Sequence, residues 1–326
     1  MVQVYMKQDL LRFGLTDSDI HQAQQCCLQK VRRGHYAVAH PCSSPEHAIL
    51  HSADAAEPIT YSQTFGDIRD QIENLKPLIR SRLHELRTGD VYSHISAALI
   101  HGVQPPFPAT DQAEIIRTGY HENFPTLRIY DRTVPPKDRT IVGDFAVTDL
   151  SRTLSDIAHD YPLEISVPMI SEARRRGRID TFELLDQVGD RRRGCRNARR
   201  AIDLSSPLHE SQGESLCAVK FHRFSIGGML PQVTVHDRTG KFLGRCDFKH
   251  ESLPLIVEFH GLGKYYLNEN GPDRASKDNH ARHMRLTNAG FTVFNVVWAD
   301  LFRNDMFVTI KNHIGGRRPR RRAQTP

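Results

Sequence analysis

Apolar and polar residues in the last third of the chain follow two periods. The segments PQVTVH, FLGRCDF and PLIVEFHG fit short strands, and FTVFNVVW fits a buried one. HESQGESLCAVKFHRF and RASKDNHARHMRLTNAG instead carry the spacing of amphipathic helices, the second ending at Gly290. From residue 207 the pattern therefore predicts helix, strand, hairpin, helix, strand and helix, which is an α/β domain.

The first 45 residues show a different pattern, in which two short helices precede a basic hairpin. MKQDLLRFG predicts a helix that ends at Gly14, and Thr16 is placed to cap a second helix, DSDIHQAQQCC. KVRRGHYAV then predicts two strands that turn at RRG. This is the outline of a winged-helix module, whose basic wing would present Lys30, Arg32 and Arg33 to DNA.

Residues 46–204 alternate between helical and strand-like text, so an α+β region is expected there. PEHAILHSADAA and DIRDQIENLKPLIRSRLHELR predict helices, the second broken or kinked at Pro77. Ser93 can cap a helix that closes at Gly102, and a strand pair leads into a helix capped by Thr148 or Asp149. DLSSPLHESQG reads as a linker with a boundary near residue 205. The predicted organisation is 1–45, 46–204, 205–314 and a basic disordered tail, 315–326.

The length and composition of the chain limit the classes of protein to which it can belong. A chain of 326 residues with 39% hydrophobic residues is long enough for two or three globular domains. No apolar run approaches about 18 residues, and the first residues lack the apolar core of a signal peptide, so no membrane segment is expected. Of the six cysteines, Cys26 and Cys27 are adjacent and none forms a C-x-x-C pair. We therefore expect a reducing, cytoplasmic compartment and find little support for a zinc site.

The positive charge is concentrated in clusters. The net charge is +6, and the sequences RRRGR (174–178), RRRGCRNARR (191–200) and GRRPRRRAQTP at the end of the chain hold many of the arginines. One such cluster is as often a solvated helix face or a disordered tail. Three together favour a polyanion as partner, and DNA is the simplest one, with Arg317 and Arg318 among the contacting residues.

Two acids stand in the otherwise apolar strands near the end of the chain. A short loop at Ser252 and Leu253 would pair Asp247 with Glu258, and alternation would place both on one face together with His260. The other face would be apolar and consist of Cys246, Phe248, Leu255, Val257 and Phe259. Opposed residues lie about 5 Å apart at Cβ, a spacing at which two carboxylates can hold one divalent ion.

A third acid, Glu214, lies on the apolar stripe of the preceding helix, in register with Cys217, Phe221 and Phe224. A carboxylate at such a position needs a partner. That partner could be Arg245 or an arginine of the late helix, and for the strand acids it could be Arg245, Lys264 or a metal. Hard oxygen ligands favour Mg²⁺, or Mn²⁺ in its place.

An acid on the first helix, Asp in one strand and Glu-x-(Lys or variant) in the next resemble the PD-(D/E)xK endonuclease pattern. Residues 205–314 are similar in particular to domains related to very-short-patch repair endonucleases, through GRCDF, VEFHG and RLTNAGFTVFNVVWADL. Residues 1 to about 200 resemble AbiEi-like antitoxin or transcriptional-regulator regions, through KVRRGHYAV, YSHISAALIHG and VTDLSRTLSDIA. The resemblance covers nearly the whole chain.

The resemblance implies metal-dependent hydrolysis of DNA phosphodiesters. Asp247, Glu258 and Glu214 would hold the ion, and His260 or Lys264 would position or deprotonate the attacking water. Arg282 and Arg285 would contact phosphates. The pattern asks for Glu-x-Lys, whereas this chain has Glu258-Phe259-His260. The alternative is therefore an antitoxin-type regulator with an inactive nuclease-like domain and a possible cognate toxin.

Overall fold

The chain folds into two compact units. The structure is a computed structural model that describes residues 3–39, 42–51, 66–189, 193–261 and 281–317. One unit comprises Met1–Tyr161 and Thr181–Ala198, and the other comprises Pro162–Asp180 and Arg199–Pro326. Both contain helices and β-sheet, which confirms the α+β expectation at that level. None of the helices in the described ranges is long and apolar enough to cross a membrane.

The N-terminal elements are two short helices and a three-stranded sheet. In chain order they are β1 (Val4–Met6), α1 (Lys7–Arg12), α2 (Asp17–Ala23), β2 (Leu28–Arg32) and β3 (His35–Val38). The sheet order is β1-β3-β2, and both pairs are antiparallel. The predicted basic hairpin is therefore confirmed, with β3 in the centre of its sheet.

Helix α2 begins where the sequence predicts and ends earlier. The Thr16 hydroxyl accepts a hydrogen bond from the Asp19 main chain at 3.2 Å, so the predicted N-cap is confirmed. The helix ends at Ala23, however, and the predicted extension through Cys27 is wrong. Cys26 and Cys27 lie instead in a turn that leads directly into β2.

The next part of the chain contributes the strands of a six-stranded mixed sheet with the order β6-β7-β5-β4-β9-β8. Its strands are β4 (Val91–Tyr92), β5 (Ala113–Ile116), β6 (Glu122–Phe124), β7 (Leu127–Tyr130), β8 (Arg139–Val142) and β9 (Phe145–Thr148). The α-helices in this part of the chain are α3 (Gly66–Ser81), α4 (His94–Ile100), α5 (Leu150–Asp160), α6 (Leu163–Arg175), α7 (Thr181–Val188) and α8 (Cys195–Leu204). Helix α6 belongs to the second unit.

Three local predictions in this region have different outcomes. Asp149 caps α5 by accepting a hydrogen bond from the Arg152 main chain at 2.8 Å, as predicted. Of the break or kink predicted at Pro77, the break is wrong, because α3 continues through this residue. Pro45–His51 forms a 3₁₀-helix, and the rest of the helix predicted there lies outside the described residues.

The second unit is built on a four-stranded sheet with the order β10-β11-β12-β13. Its first helix and its strands are α9 (Gln212–Arg223), β10 (Met229–His236), β11 (Phe242–His250), β12 (Leu255–His260) and β13 (Thr292–Val297). The later helices are α10 (281–288), α11 (Trp298–Leu301) and α12 (Asp305–Arg317). Strands β10, β11 and β12 pair antiparallel, whereas β12 and β13 pair parallel. The predicted order of elements from residue 207 is confirmed in the described residues.

Helix α9 packs closely on one face of this sheet. Phe221 stacks edge-on against Phe248, with ring centroids 5.1 Å apart. At the start of the helix, a Cβ on Gly213 would lie 2.0 Å from Cε1 of Phe259, so only glycine permits this approach. The helix N-terminus, which carries Glu214, is thereby set against the strands that carry Asp247 and Glu258.

Candidate active site

Glu214 lies in the first turn of α9 and is fully buried. Ser211 caps the helix, and its hydroxyl both accepts a hydrogen bond from the Glu214 main chain and donates one to Oε1. Oε2 accepts hydrogen bonds from the Glu210 main chain and from the Gln232 amide, each at 2.9 Å. Neutral donors, rather than the arginines that the sequence suggested, therefore satisfy this carboxylate.

Those hydrogen bonds do not fully offset the effect of burial on the pKa of Glu214. Burial raises the pKa of Glu214, and the negative charge of Asp247 raises it further, against the lowering effect of the three hydrogen bonds. Arg245, one of the proposed partners, pairs with Glu210 at 2.5 Å instead.

Asp247 lies on β11 at a point where the regular alternation of side chains breaks. Phe248 packs against α9, whereas Cys246 clusters with Ile256 and with Leu286 of α10. The prediction that Cys246 and Phe248 share one face is therefore wrong. Asp247 Oδ2 accepts a hydrogen bond from the Phe259 main chain at 2.8 Å. The carboxylate thus lies at the junction of β11 and β12, and it raises the pKa of both Glu214 and Glu258.

Glu258 is buried on β12 and meets a cation from the late helix. Oε2 forms a close ion pair with Arg282, and the Cys246 thiol also lies against this carboxylate. Oε1 is buried and has no hydrogen-bond partner in the described part of the chain. Burial and then Asp247 raise the pKa of Glu258, although Arg282 and Cys246 oppose this shift.

The two residues proposed to act on water have separate outcomes. His260 is half-buried, and its Nε2 lies 3.0 Å from Oδ1 of Asn295 on the neighbouring strand. It occupies the end of β12, two residues beyond Glu258. Lys264 lies outside the described residues.

The residues predicted to contact DNA differ in their exposure and in whether the structure describes them. Lys30, Arg33 and Arg285 are exposed. Arg32 instead donates hydrogen bonds to Ser81 and forms an ion pair with Glu85 at 2.5 Å, so its guanidinium anchors the hairpin. Arg318 and the side chain of Arg317 lie outside the described residues.

The three carboxylates have the chemistry of a hard-cation site. They are oxygen donors that are nearly inaccessible to solvent, and Glu258 contributes a buried oxygen that no donor satisfies in the described residues. A divalent ion would stabilise their charged forms, which burial disfavours. Their oxygens are not all drawn together in this structure. Within the described ranges, the one set of three or more Asp, Glu, His or Cys ligand atoms that all lie within 4.8 Å of one another is elsewhere, at Cys26, Cys27, Cys42 and His47.

Sequence reasoning missed several of these participants. Gln232 reaches Glu214 from a backbone with φ of 54°, at a break in β10 that alternation does not predict. Asn295 is the one side-chain amide in the otherwise apolar text FTVFNVVW, and that contrast is the signal that could have identified it. The cysteine–histidine cluster (Cys26, Cys27, Cys42 and His47) was missed because its spacing, C-C-x₁₄-C-x₄-H, does not contain the usual C-x-x-C pair.

Comparison with known proteins adds little to this geometry. The chain matches no protein-family model and no curated protein. One solved structure to which it is similar is the crystal structure of the RV2827C protein from Mycobacterium tuberculosis, with 14% sequence identity over 66% of this chain and 75% of that chain. The TM-score is 0.34, which is too low to support an argument about fold or function.

Proposed function

We propose that this chain is a DNA-binding protein whose second unit hydrolyses DNA phosphodiesters with the aid of Mg²⁺ or Mn²⁺. The observation that carries the proposal is that three buried carboxylates lie on neighbouring elements of the second unit, and that Asp247 raises the pKa values of the other two. The order of α9, three strands, α10 and a parallel β13 supports it, because this is the arrangement in which the PD-(D/E)xK resemblance predicts the acids.

Asp247 and Glu258 would hold the ion directly, and Glu214 would complete the set from the start of α9. A bound divalent ion lowers the pKa of a coordinated water and stabilises negative charge on a phosphate. Gln232 and Ser211 orient the Glu214 carboxylate by donating hydrogen bonds to it. These hydrogen bonds would keep the carboxylate in place whether it is protonated or bound to a metal ion.

His260 and Arg282 would act on the water and the phosphate. Asn295 restrains the His260 ring through Nε2, and an imidazole in this position can accept a proton from an attacking water. Arg282 is held by Glu258 in this structure, and a DNA phosphate would compete for the same guanidinium. Exposed Arg285 would contribute a phosphate contact on the second unit, and exposed Lys30 and Arg33 would contact DNA from the first unit.

Cleavage of supercoiled and linear DNA with Mg²⁺ or Mn²⁺ tests the proposal. Wild-type protein should nick or cut DNA, whereas Asp247→Asn and Glu258→Gln should lower the rate at least about 100-fold, because each removes a charged oxygen ligand. Glu251→Gln is the matched control, since Glu251 is an exposed acid just beyond the end of β11, the strand that carries Asp247. Equal cutting by wild type and both site variants would contradict the proposal.

A second candidate function is a DNA-binding regulator of the antitoxin type with an inactive nuclease-like unit. The ion pair between Arg282 and Glu258 favours it, because a resident cation already compensates one of the acids. Asn295 also holds His260 at the position where the endonuclease pattern has lysine. This candidate predicts sequence-specific DNA binding that survives Asp247→Asn and Glu258→Gln, together with no cleavage by any variant.

A further inference from the structure

The cysteine–histidine cluster joins three separate parts of the N-terminal fold. Cys26 and Cys27 follow α2, Cys42 follows β3, and His47 lies in the 3₁₀-helix Pro45–His51. All four belong to the first unit, whereas the carboxylates of the candidate active site belong to the second. Nothing in the proposed nuclease or regulator function uses these residues.

Five of the six distances between the ligand atoms are close to the edges of one tetrahedron. Cys26 Sγ lies 3.7 Å from Cys27 Sγ and 3.7 Å from Cys42 Sγ. His47 Nδ1 lies 3.4, 3.7 and 3.6 Å from the sulfurs of Cys26, Cys27 and Cys42. All four ligand atoms lie within 4.8 Å of one another.

These distances match the edges expected around a zinc ion. With Zn–S of about 2.3 Å and Zn–N of about 2.0–2.1 Å, tetrahedral geometry gives S···S edges of about 3.8 Å and S···N edges of about 3.5 Å. The sulfurs are too far apart for a disulfide, whose S–S bond is about 2.05 Å. A set of three sulfurs and one imidazole nitrogen binds zinc in preference to hard cations such as Mg²⁺.

The surroundings of the cluster point to a bound ion as well. Cys27 is fully buried and His47 is only 3% exposed, and the His47 ring directs Nδ1 at all three sulfurs. Grouping thiols around a buried imidazole satisfies few hydrogen bonds, since a thiol is a weak donor and acceptor. The Ser44 main chain donates a hydrogen bond to Cys42 Sγ at 3.5 Å, which would stabilise a thiolate there.

We propose that Cys26, Cys27, Cys42 and His47 bind a Zn²⁺ ion. Four protein ligands leave no open coordination position, so the site is structural and not catalytic. The ion fastens the turn before β2 to the segment that follows β3. The core beneath it is small and includes Leu10, Ile20, Cys27 and Leu50, and small cores are commonly reinforced by a metal.

Metal analysis of the full-length wild-type protein, purified without chelators under reducing conditions, tests this site. We expect about one zinc per chain, as four protein ligands around one ion require. After removal of the zinc, added Co²⁺ should give the intense visible absorption of tetrahedral thiolate coordination. This part of the test does not depend on any variant folding. Chelation should also lower the midpoint of thermal unfolding.

Cys42→Ser and His47→Ala should each lose most of the bound zinc, and Cys195→Ser is the matched control that should retain it. Cys195 is a partly buried cysteine elsewhere in the chain. The proposal is overturned if reduced wild-type protein takes up neither zinc nor cobalt, if it contains iron or copper instead, or if both cluster variants keep a full equivalent of zinc. A disulfide between Cys26 and Cys42 in freshly purified protein would also overturn it.

Discussion

The immediate surroundings of Glu258 have opposing effects on the pKa of its carboxyl group. Burial and the neighbouring charge of Asp247 favour its neutral form, whereas Arg282 favours the carboxylate. The net result is a raised pKa and one buried oxygen without a donor in the described residues. Such a residue readily exchanges a proton for a cation, which is the property that a metal site on this sheet requires.

This balance predicts how stability depends on pH. The folded protein retains the Glu258 proton at pH values where the unfolded chain, in which this group has a pKa of about 4.3, has released it. The contribution of Glu258 to the free energy of unfolding is therefore greatest below that pKa and falls as pH rises through the raised folded pKa. Glu258→Gln removes this pH-dependent contribution.

Urea unfolding of wild type and Glu258→Gln across the acidic to neutral range, without added metal, measures the effect. The variant should become more stable relative to wild type as pH rises. A difference that is constant, or that changes in the opposite direction, would show that the folded state does not raise the pKa of Glu258.

The pair between Arg282 and Glu258 can be tested separately. The Glu258 side chain is 8% exposed and that of Arg282 is 30% exposed, so Arg282→Gln leaves a largely buried carboxylate without its cation. We expect a loss of about 2 kcal/mol in unfolding free energy, below the range for a fully buried pair because Arg282 is partly solvated. In a Glu258→Gln background the same change should cost much less.

Arg285→Gln is the control for this experiment, because Arg285 lies on the same helix and is exposed. It should change the free energy of unfolding by no more than about 0.5 kcal/mol. Equal costs for Arg282→Gln and Arg285→Gln would show that the ion pair contributes nothing to stability.

At the scale of elements, the position of α9 determines whether Glu214 reaches the strand acids. Gly213 touches the ring of Phe259, and Phe259 in turn packs edge-on against Trp298 at 5.6 Å. The sequence predicted this helix, its apolar face and the order of helices and strands along the chain, since these follow from apolar periodicity. It did not predict the break in alternation at Asp247, because pairing and packing across three strands decide that local geometry.

Gly213→Ala should therefore displace the start of α9. We expect a loss of about 1–3 kcal/mol in unfolding free energy, since the new methyl group overlaps a buried ring. Under the nuclease proposal, metal-dependent cleavage should fall with it, because Glu214 moves with the helix. Thermal and urea unfolding measure the first effect and the cleavage assay the second.

Gly227→Ala is a matched control, because a Cβ at Gly227 meets nothing within 4 Å and its backbone φ is not positive. Gly213→Ala combined with Phe259→Leu should recover part of the lost stability by making room for the methyl group. If Gly213→Ala is as stable as Gly227→Ala, the close approach of helix and ring is not a constraint on the fold.

At the scale of the whole molecule, the sequence was more informative about architecture than about sites. The α+β character and most helix and strand positions follow from local patterns, and those predictions are confirmed. The cysteine–histidine cluster depends on the early end of α2 at Ala23 and on an approach between Cys26 and His47, which are 21 positions apart. A motif search tuned to C-x-x-C spacing cannot find such a set.

The clustered positive charge predicts salt-dependent DNA binding. Replacing Arg318, Arg320, Arg321 and Arg322 by Gln should weaken binding, because fewer phosphates are then neutralised. The plot of log affinity against log salt concentration should become shallower, by up to about 0.9 for each phosphate that the variant no longer neutralises. Fluorescence anisotropy with a labelled duplex at several salt concentrations measures the slope. An unchanged slope would exclude these arginines from the DNA interface.

Binding of a divalent cation by the buried carboxylates of the second unit is the property on which the two candidate functions differ. Titration of the full-length protein as purified with Mn²⁺, followed by electron paramagnetic resonance of the free ion, measures this binding. We predict saturable binding by wild type and by Glu251→Gln that Asp247→Asn abolishes. Absence of saturable binding, or binding that Asp247→Asn leaves intact, would contradict the nuclease proposal and favour the inactive regulator.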